Sequence, residues 1–145
     1  MQELKDILYK VPLTASYGDM NVEVNGIAFD SRKVQRGFLF AAVKGTLSDG
    51  HQFINKAIEL GAQVIVCEKL PETINEKITY VSVKDSAYAL GIIASNFYGS
   101  PSEKLQLVGV TGTNGKTTTV TLLYQLFSRM GLKAGMISTV ENRIV

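Results

Sequence analysis

Cysteine occurs once, as Cys67, so the chain cannot close an internal disulfide and carries no mark of an oxidising compartment. Long apolar runs are missing too, and no stretch approaches the length of a membrane span. Neither sign of charge is in excess. The formal net charge is +2, which gives no basic footprint of the kind that holds nucleic acid or an anionic membrane. The opening segment MQELKDILYK carries Glu3 and Asp6 among its apolar residues, the wrong pattern for a signal peptide. It reads instead as a short amphipathic helix with Leu4, Ile7 and Leu8 on one side. Internal repeats and low-complexity tracts are absent, and no pattern speaks for an oligomeric state. Together these absences indicate a soluble cytoplasmic protein, with no nucleic-acid partner and no membrane insertion.

What is present is enough apolar material for a real core: 46% of 145 residues, the size of one ordinary domain or two small ones. The pattern is α/β. VEVNGIAFDSR contains a strand ending near Asp30, and GFLFAAVKG is a second strand, apolar enough to be buried on both faces. GHQFINKAIELGA reads as a helix with Phe53, Ile54, Ala57 and Ile58 inward and Gly61 past its end. QVIVCE and ITYVSV are two more strands, and the first makes Cys67 a packed thiol rather than a nucleophile. DSAYALGIIASNFYG is a helix capped by Asp85, with Leu90, Ile93, Ala94 and Phe97 buried. The Gly-Ser-Pro-Ser run in YGSPSEK is the best linker signal. It divides the chain near residue 100, into 1–100 and 101–145.

After the linker, LVGVTGTNGKTTTVTLL runs from an apolar segment through a glycine-bearing turn into a helical pattern. Leu105, Leu107, Val108 and Val110 read as a buried parallel strand. Val120, Leu123, Tyr124 and Phe127 recur at helical spacing, Gly131 ends the helix, and KAGMIST is the next strand. Strand, Gly-rich turn, helix and Lys-Thr at the helix start form a phosphate-binding arrangement. Lys116 would reach the terminal phosphates and the Thr117 hydroxyl would hold Mg²⁺. The strict GxxxxGK[ST] spacing fails, because Val110 stands where its first glycine belongs. The plainer alternative is a simple turn with a solvated Lys116. Three β-branched threonines opening a helix straight after Gly-Lys weigh against it. One strand–helix–strand crossover cannot bury both faces of its sheet, so the second unit reads as the beginning of a larger domain. Glu141 is the only carboxylate after the loop.

A second cluster of polar residues lies in FDSRKVQRGFLFAAVKGTLSDGHQF, residues 29–53, at the ends of two strands where α/β sheets place ligands. Ser31 and the GTLSDGH loop could together hold a small polar ligand. Equally, Asp30 and Ser31 could cap a turn, Asp49 could cap the following helix, and Arg32, Lys33 and Arg36 could be solvated. His51 has no Ser or Cys partner in view and reads as a surface or first-turn residue.

DSRKVQRGFLFAAVKGTLSDGHQFI resembles the N-terminal uridine-nucleotide domain of the Mur ligases. GVTGTNGKTTT resembles their ATP loop, whose form is TGTxGK[ST]. The two motifs, in this order and separated by GAQVIVCE and NFYGSPSEKL, cover nearly the whole chain. Asn114 with GKTTT, and STVENRI after the next strand, resemble the branch that adds the third peptide residue.

The resemblance implies an α/β fold class: a small uridine-nucleotide domain over 1–100, then the start of a P-loop parallel-sheet ATP domain over 101–145. It implies a cytoplasmic enzyme of peptidoglycan synthesis. ATP converts the D-glutamate end of UDP-N-acetylmuramoyl-L-alanyl-D-glutamate to an acyl phosphate. A diamino acid, meso-diaminopimelate or L-lysine, then attacks. ATP and Mg²⁺ are the implied cofactors, and the UDP-N-acetylmuramoyl dipeptide and the diamino acid the implied partners. Residue by residue, Phe29, Ser31, Thr46, Leu47 and Ser48 match the UDP site. Gly112, Thr113, Asn114, Gly115, Lys116, Thr117 and Thr118 match the ATP loop, with Lys116 catalytic and Thr117 toward the metal. Remaining catalytic groups of the family lie outside these residues, so the 145-residue chain alone is expected to be inactive. Another branch of the family, or a non-catalytic nucleotide-binding module, are the alternatives.

Overall fold

The computed structural model describes residues 1–45 and 48–144, and the chain divides into two compact units, Met1–Leu105 and Gln106–Val145. The first is built on strands β1 (Gln2–Glu3), β2 (Leu13–Tyr17), β3 (Glu23–Val24), β4 (Gly26–Ala28), β5 (Phe38–Ala41), β6 (Ala62–Cys67) and β7 (Thr79–Val83). Its helices are α1 (Leu4–Ile7), α2 (Ile54–Glu59) and α3 (Ser86–Phe97). Five strands form one sheet in the order β2-β7-β6-β5-β4. β4 to β7 run parallel, and β2 closes the far edge antiparallel to β7. β1 and β3 form a separate antiparallel ribbon.

The period-two alternation of the central strands sorts their side chains into two cores. Leu39, Ala41, Val64, Val66, Val81 and Val83 join Leu4, Ile7, Ala89 and Ile93 from α1 and α3. Phe40, Ile65, Cys67 and Tyr80 join Ile54 and Ala57 from α2. Each large side chain removed from water contributes about 1.5–3 kcal/mol, so burying both faces is what holds these short strands together. Cys67 is fully buried, and that burial pushes its thiol up to about 11. It is a packing residue, as its strand context indicates.

The caps follow the local chemistry. The Asp85 carboxylate accepts from the Tyr88 N–H at 2.9 Å and starts α3. At the end of α3, Gly99 donates to Asn96 and Ser100 to Ser95, the paired bonds that satisfy the last carbonyls. Phe53 departs from expectation: it is 41% exposed rather than inward. Gly50–Phe53 winds as a tighter 3₁₀ turn before α2 begins at Ile54, and three residues per turn rotates Phe53 off the inner face. In α3 the innermost positions are Ser86, Ala89 and Ile93, while Leu90, Ala94 and Phe97 are half-buried.

The second unit holds α4 (Lys116–Arg129), β8 (Gly135–Ile137) and β9 (Asn142–Ile144). The face of α4 carrying Val120, Leu123, Tyr124 and Phe127 is its less exposed side. Gly131 donates to Ser128 and Leu132 to Phe127, closing its end. The strand expected over residues 105–110 does not form, and Leu105, Leu107 and Val108 are exposed. A strand exists only as part of a ladder, and among the described residues none pairs with this segment. β8, expected as the second strand of a strand–helix–strand unit with that segment, pairs antiparallel with β9 instead.

Candidate functional site

In the first unit the register Gly26↔Phe38, Ile27↔Leu39, Ala28↔Phe40 sets β4 and β5 side by side and parallel. The chain therefore leaves both strands at the same edge of the sheet, and β6 ends there too. Parallel α/β sheets bind ligands at this carboxyl edge. After β4, Phe29 stands 67% exposed. Asp30 then caps the turn Ser31–Lys33, accepting the Arg32 N–H at 3.0 Å and gripping its guanidinium at 2.7–3.2 Å. These bonds, the side-chain contact first, hold the Asp30 carboxyl down to about 2. Ser31 is buried at the head of this turn and its carbonyl accepts from Val34.

After β5 the chain makes a tight excursion. The backbones of Lys44 and Asp49 pair as a single antiparallel β-bridge, the Gly45 N–H donates to the Ser48 carbonyl at 3.0 Å, and the Gly50 N–H to the Val43 carbonyl at 2.9 Å. Ser48 is exposed on this excursion. Thr46 and Leu47 lie outside the described residues. Gly50 is required by close approach, since a Cβ there would stand 2.6 Å from the Val43 carbonyl oxygen. Asp49 caps the Gly50–Phe53 turn through the His51 N–H and also contacts His51 Nδ1 at 2.6 Å. Its carboxyl is held below the usual range, first by the backbone bond from His51 and then by the ring.

Across the edge, His51 Nε2 accepts from the backbone N–H of Glu68 at 2.9 Å and of Lys69 at 3.4 Å. With Nε2 accepting, Nδ1 carries the proton and donates to Asp49. Glu68 in turn accepts two bonds from Ser86, which hold its carboxyl below the ordinary value. Lys44, Asp49, His51, Ile54, Lys69 and Pro71 line a cleft here. Sequence reasoning brought Ser31 and the 45–51 loop to one sheet edge but gave His51 no partners. The Asp-Gly-His spacing was the available signal: a carboxylate capping a turn sits two residues from a ring it can orient.

In the second unit, residues 112–115 form a loop leading into α4. Gly112 and Gly115 have φ of 147° and 77°, and Gly115 is the residue from which the helix starts. Its carbonyl accepts from Thr119, so the N–H groups of Lys116, Thr117 and Thr118 stand at the free helix N-terminus, where anions are favoured. The Lys116 ammonium folds back onto the carbonyls of Gly112 and Thr113. Thr113 and Asn114 are exposed in the loop, Thr118 at the start of the helix, and Thr117 is half-exposed. The arrangement can cradle phosphate oxygens with backbone N–H groups and bring one cation to them. Among the described residues no group of three or more His, Cys, Asp or Glu is placed to hold a metal, and no helix is long and apolar enough to cross a membrane.

Residues 23–98 match the Mur ligase family, catalytic domain, and residues 110–145 match the Mur ligase middle domain. The chain is 59% identical over 143 residues to the UDP-N-acetylmuramoyl-L-alanyl-D-glutamate--2,6-diaminopimelate ligase of Cytophaga hutchinsonii, covering 98% of this chain and 29% of that relative. It thus spans under a third of the relative's length. A solved structure of a UDP-N-acetylmuramoyl-L-alanyl-D-glutamate--2,6-diaminopimelate ligase has the same fold, with a TM-score of 0.73 at 24% identity over 100% of this chain and 29% of that one. MurF ligase from Thermotoga maritima, solved in complex with ADP, matches 71% of this chain and 23% of its own at 33% identity and a TM-score of 0.54.

Proposed function

Because the chain belongs to the Mur ligase family, we propose that it supplies the uridine-nucleotide unit and the ATP loop of a cytoplasmic, ATP-dependent ligase. That ligase joins 2,6-diaminopimelate to UDP-N-acetylmuramoyl-L-alanyl-D-glutamate in peptidoglycan synthesis. The choice of dipeptide and amine rests on the name of the relative at 59% identity. Residues 1–100 take the UDP end of the substrate through Phe29 and Ser31 after β4 and Ser48 after β5. Residues 101–145 begin the ATP domain.

The observation that carries the second half is the start of α4. Left-handed Gly115 opens the helix and leaves the backbone N–H groups of Lys116, Thr117 and Thr118 free at its N-terminus, and Lys116 already lies across the loop. The residues fit a nucleoside triphosphate: Gly112 to Gly115 would surround it with backbone, Lys116 to Thr118 would offer donors, and the Thr117 hydroxyl would hold Mg²⁺. Mg²⁺, when bound, neutralises charge on the phosphate oxygens. Lys116 exchanges two loop carbonyls for the terminal phosphates, so its charge is delivered only when the anion is present. The contribution of the loop is positioning and preorganised charge.

The test uses a form of the protein as long as its relatives. Lys116→Ala should lower kcat by roughly a hundredfold or more with the melting temperature unchanged. Lys116→Arg should not rescue it, because the loop suits a compact ammonium rather than a planar fork. Near-normal turnover in Lys116→Ala would remove the loop from the chemistry.

A further inference from the structure

His51 is the chain's only histidine, and the reaction assigned above leaves it without a task. It joins three segments. Its own turn follows the excursion at 44–49, Nδ1 meets the Asp49 carboxylate at 2.6 Å, and Nε2 accepts from Glu68 N–H at 2.9 Å, just beyond the end of β6. The Lys69 N–H adds a longer bond to the same nitrogen. The Glu68 side chain continues the chain of contacts to Ser86, at the head of α3. The ring thus pins the loop after β5 against the strand whose own end is pinned to a helix.

We propose that His51, as the neutral Nδ1–H tautomer, is a positioning residue that holds Asp49, and with it the adjoining Ser48, where the uridine nucleotide is received. This rests on the reading of that edge as the UDP site. The ring touches no reacting atom. Two of its contacts are with backbone N–H donors, and these demand an unprotonated Nε2. A proton there sets N–H against N–H and breaks the bridge to Glu68 while leaving the bond to Asp49. The charged groups facing the ring are Asp49 and Lys44 from the loop and Glu68 and Lys69 from beyond β6, with Asp85 near Glu68. α2 presents Ile54 to the same cleft. A proton on Nε2 should therefore weaken nucleotide binding, although the ring touches no reacting atom.

The two ring nitrogens can be tested apart. Glutamine places an acceptor near Nε2 without a titrating proton, and asparagine places a donor near Nδ1 without reaching Glu68. An NMR titration of this chain with UDP, run from pH 5 to 8, reads affinity, ring ¹⁵N shifts and the Glu68 amide in one sample. Wild type should show the Nδ1–H pattern at pH 8 and lose UDP affinity by about three- to tenfold on acidification, the size of one lost hydrogen bond. His51→Gln should bind within about twofold of wild type at pH 8, by the same measure, and should lose less affinity than wild type on acidification, keeping only the change that protonation of the terminal phosphate of UDP brings to both. His51→Asn should bind weakly throughout. If wild-type affinity ignores the protonation of His51, or His51→Gln keeps the wild-type pH profile, the positioning role is overturned and the UDP site stands. If wild type fails to bind UDP at pH 8 while the ¹⁵N pattern and Glu68 amide behave as described, the UDP reading of the edge falls and takes this role with it.

Discussion

Glu68 Oε1 accepts two hydrogen bonds from Ser86, one from its N–H at 3.0 Å and one from its hydroxyl at 2.8 Å. One carboxylate oxygen thereby ties the end of β6 to the first turn of α3. Ser86 is fully buried, so the bond is made where the hydroxyl has no water to replace it. Ser86→Ala should destabilise the first unit by about 1 kcal/mol, read by urea unfolding followed on probes within residues 1–105. The carboxyl of Glu68 is depressed in the folded state, chiefly by the backbone bond from Ser86. Its contribution is therefore present above the unfolded value near 4.5 and is lost as pH falls through the lower folded value. Glu68→Gln should remove that part of the acid sensitivity; an unaltered acid limb in the variant would mean the pair contributes nothing.

Gly50→Ala should be costly although the turn it belongs to needs no unusual backbone angle. The added Cβ would lie 2.6 Å from the Val43 carbonyl oxygen and 2.7 Å from its nitrogen, both backbone and unable to step aside alone. The bond from Gly50 N–H to that carbonyl would stretch. A loss of about 1–3 kcal/mol is expected, together with weaker UDP binding because the 44–49 excursion is anchored there. Wild-type stability in a thermal melt would show that the loop base is looser than its contacts indicate.

Ser31→Ala separates the two nucleotide sites. In a form as long as the relatives, the KM for the UDP-linked substrate should rise at least several-fold, since a hydrogen bond to a charged group is worth roughly 1.5–3 kcal/mol. The KM for ATP should stay near its starting value. Equal changes in both constants would argue for a general loss of structure around the Ser31–Lys33 turn, and no change in either would take Ser31 out of the site.

Amide exchange in this chain should divide at about residue 106. α3 buries Ser86, Ala89 and Ile93, whereas no residue of α4 is fully buried. α4 amides should exchange at least about tenfold faster than those of α3 and β6. Equal protection would mean that α4 is covered by something beyond its contacts with β8.

Much of this was legible because the parallel strands are short, apolar on both faces and bounded by turn residues. Asp85 was recognisable as a cap because its carboxylate precedes a helical pattern. The glycine-lysine loop was recognisable for a similar reason, since Gly115 stands where the chain must turn left-handed. What failed was of another kind. The apolar character of Leu105, Leu107 and Val108 says that they are suited to burial, not what they are buried against, and a strand without a neighbour has no ladder. β2 went unread because LTASY, on the antiparallel edge, is largely exposed and lacks an apolar run. Phe53 misled because a 3₁₀ turn and an α-helix share their composition but not their angular step. The tie from His51 to Glu68 joins residues 17 positions apart through a backbone donor, and backbone donors leave no trace in side-chain identity.

The two cores of the first unit share their strands, with Val64 and Val66 belonging to one and Ile65 and Cys67 to the other. That arrangement makes the unit sensitive to the count of residues and tolerant of their identity. Exchanging one aliphatic side chain for another in β6 alters a single packing layer. Inserting one residue into β6 moves every following side chain to the opposite face and presents each helix with the shapes meant for the other. In a gene encoding this chain, three-base insertions within the central strands should therefore be purged far more strictly than missense changes at the same codons.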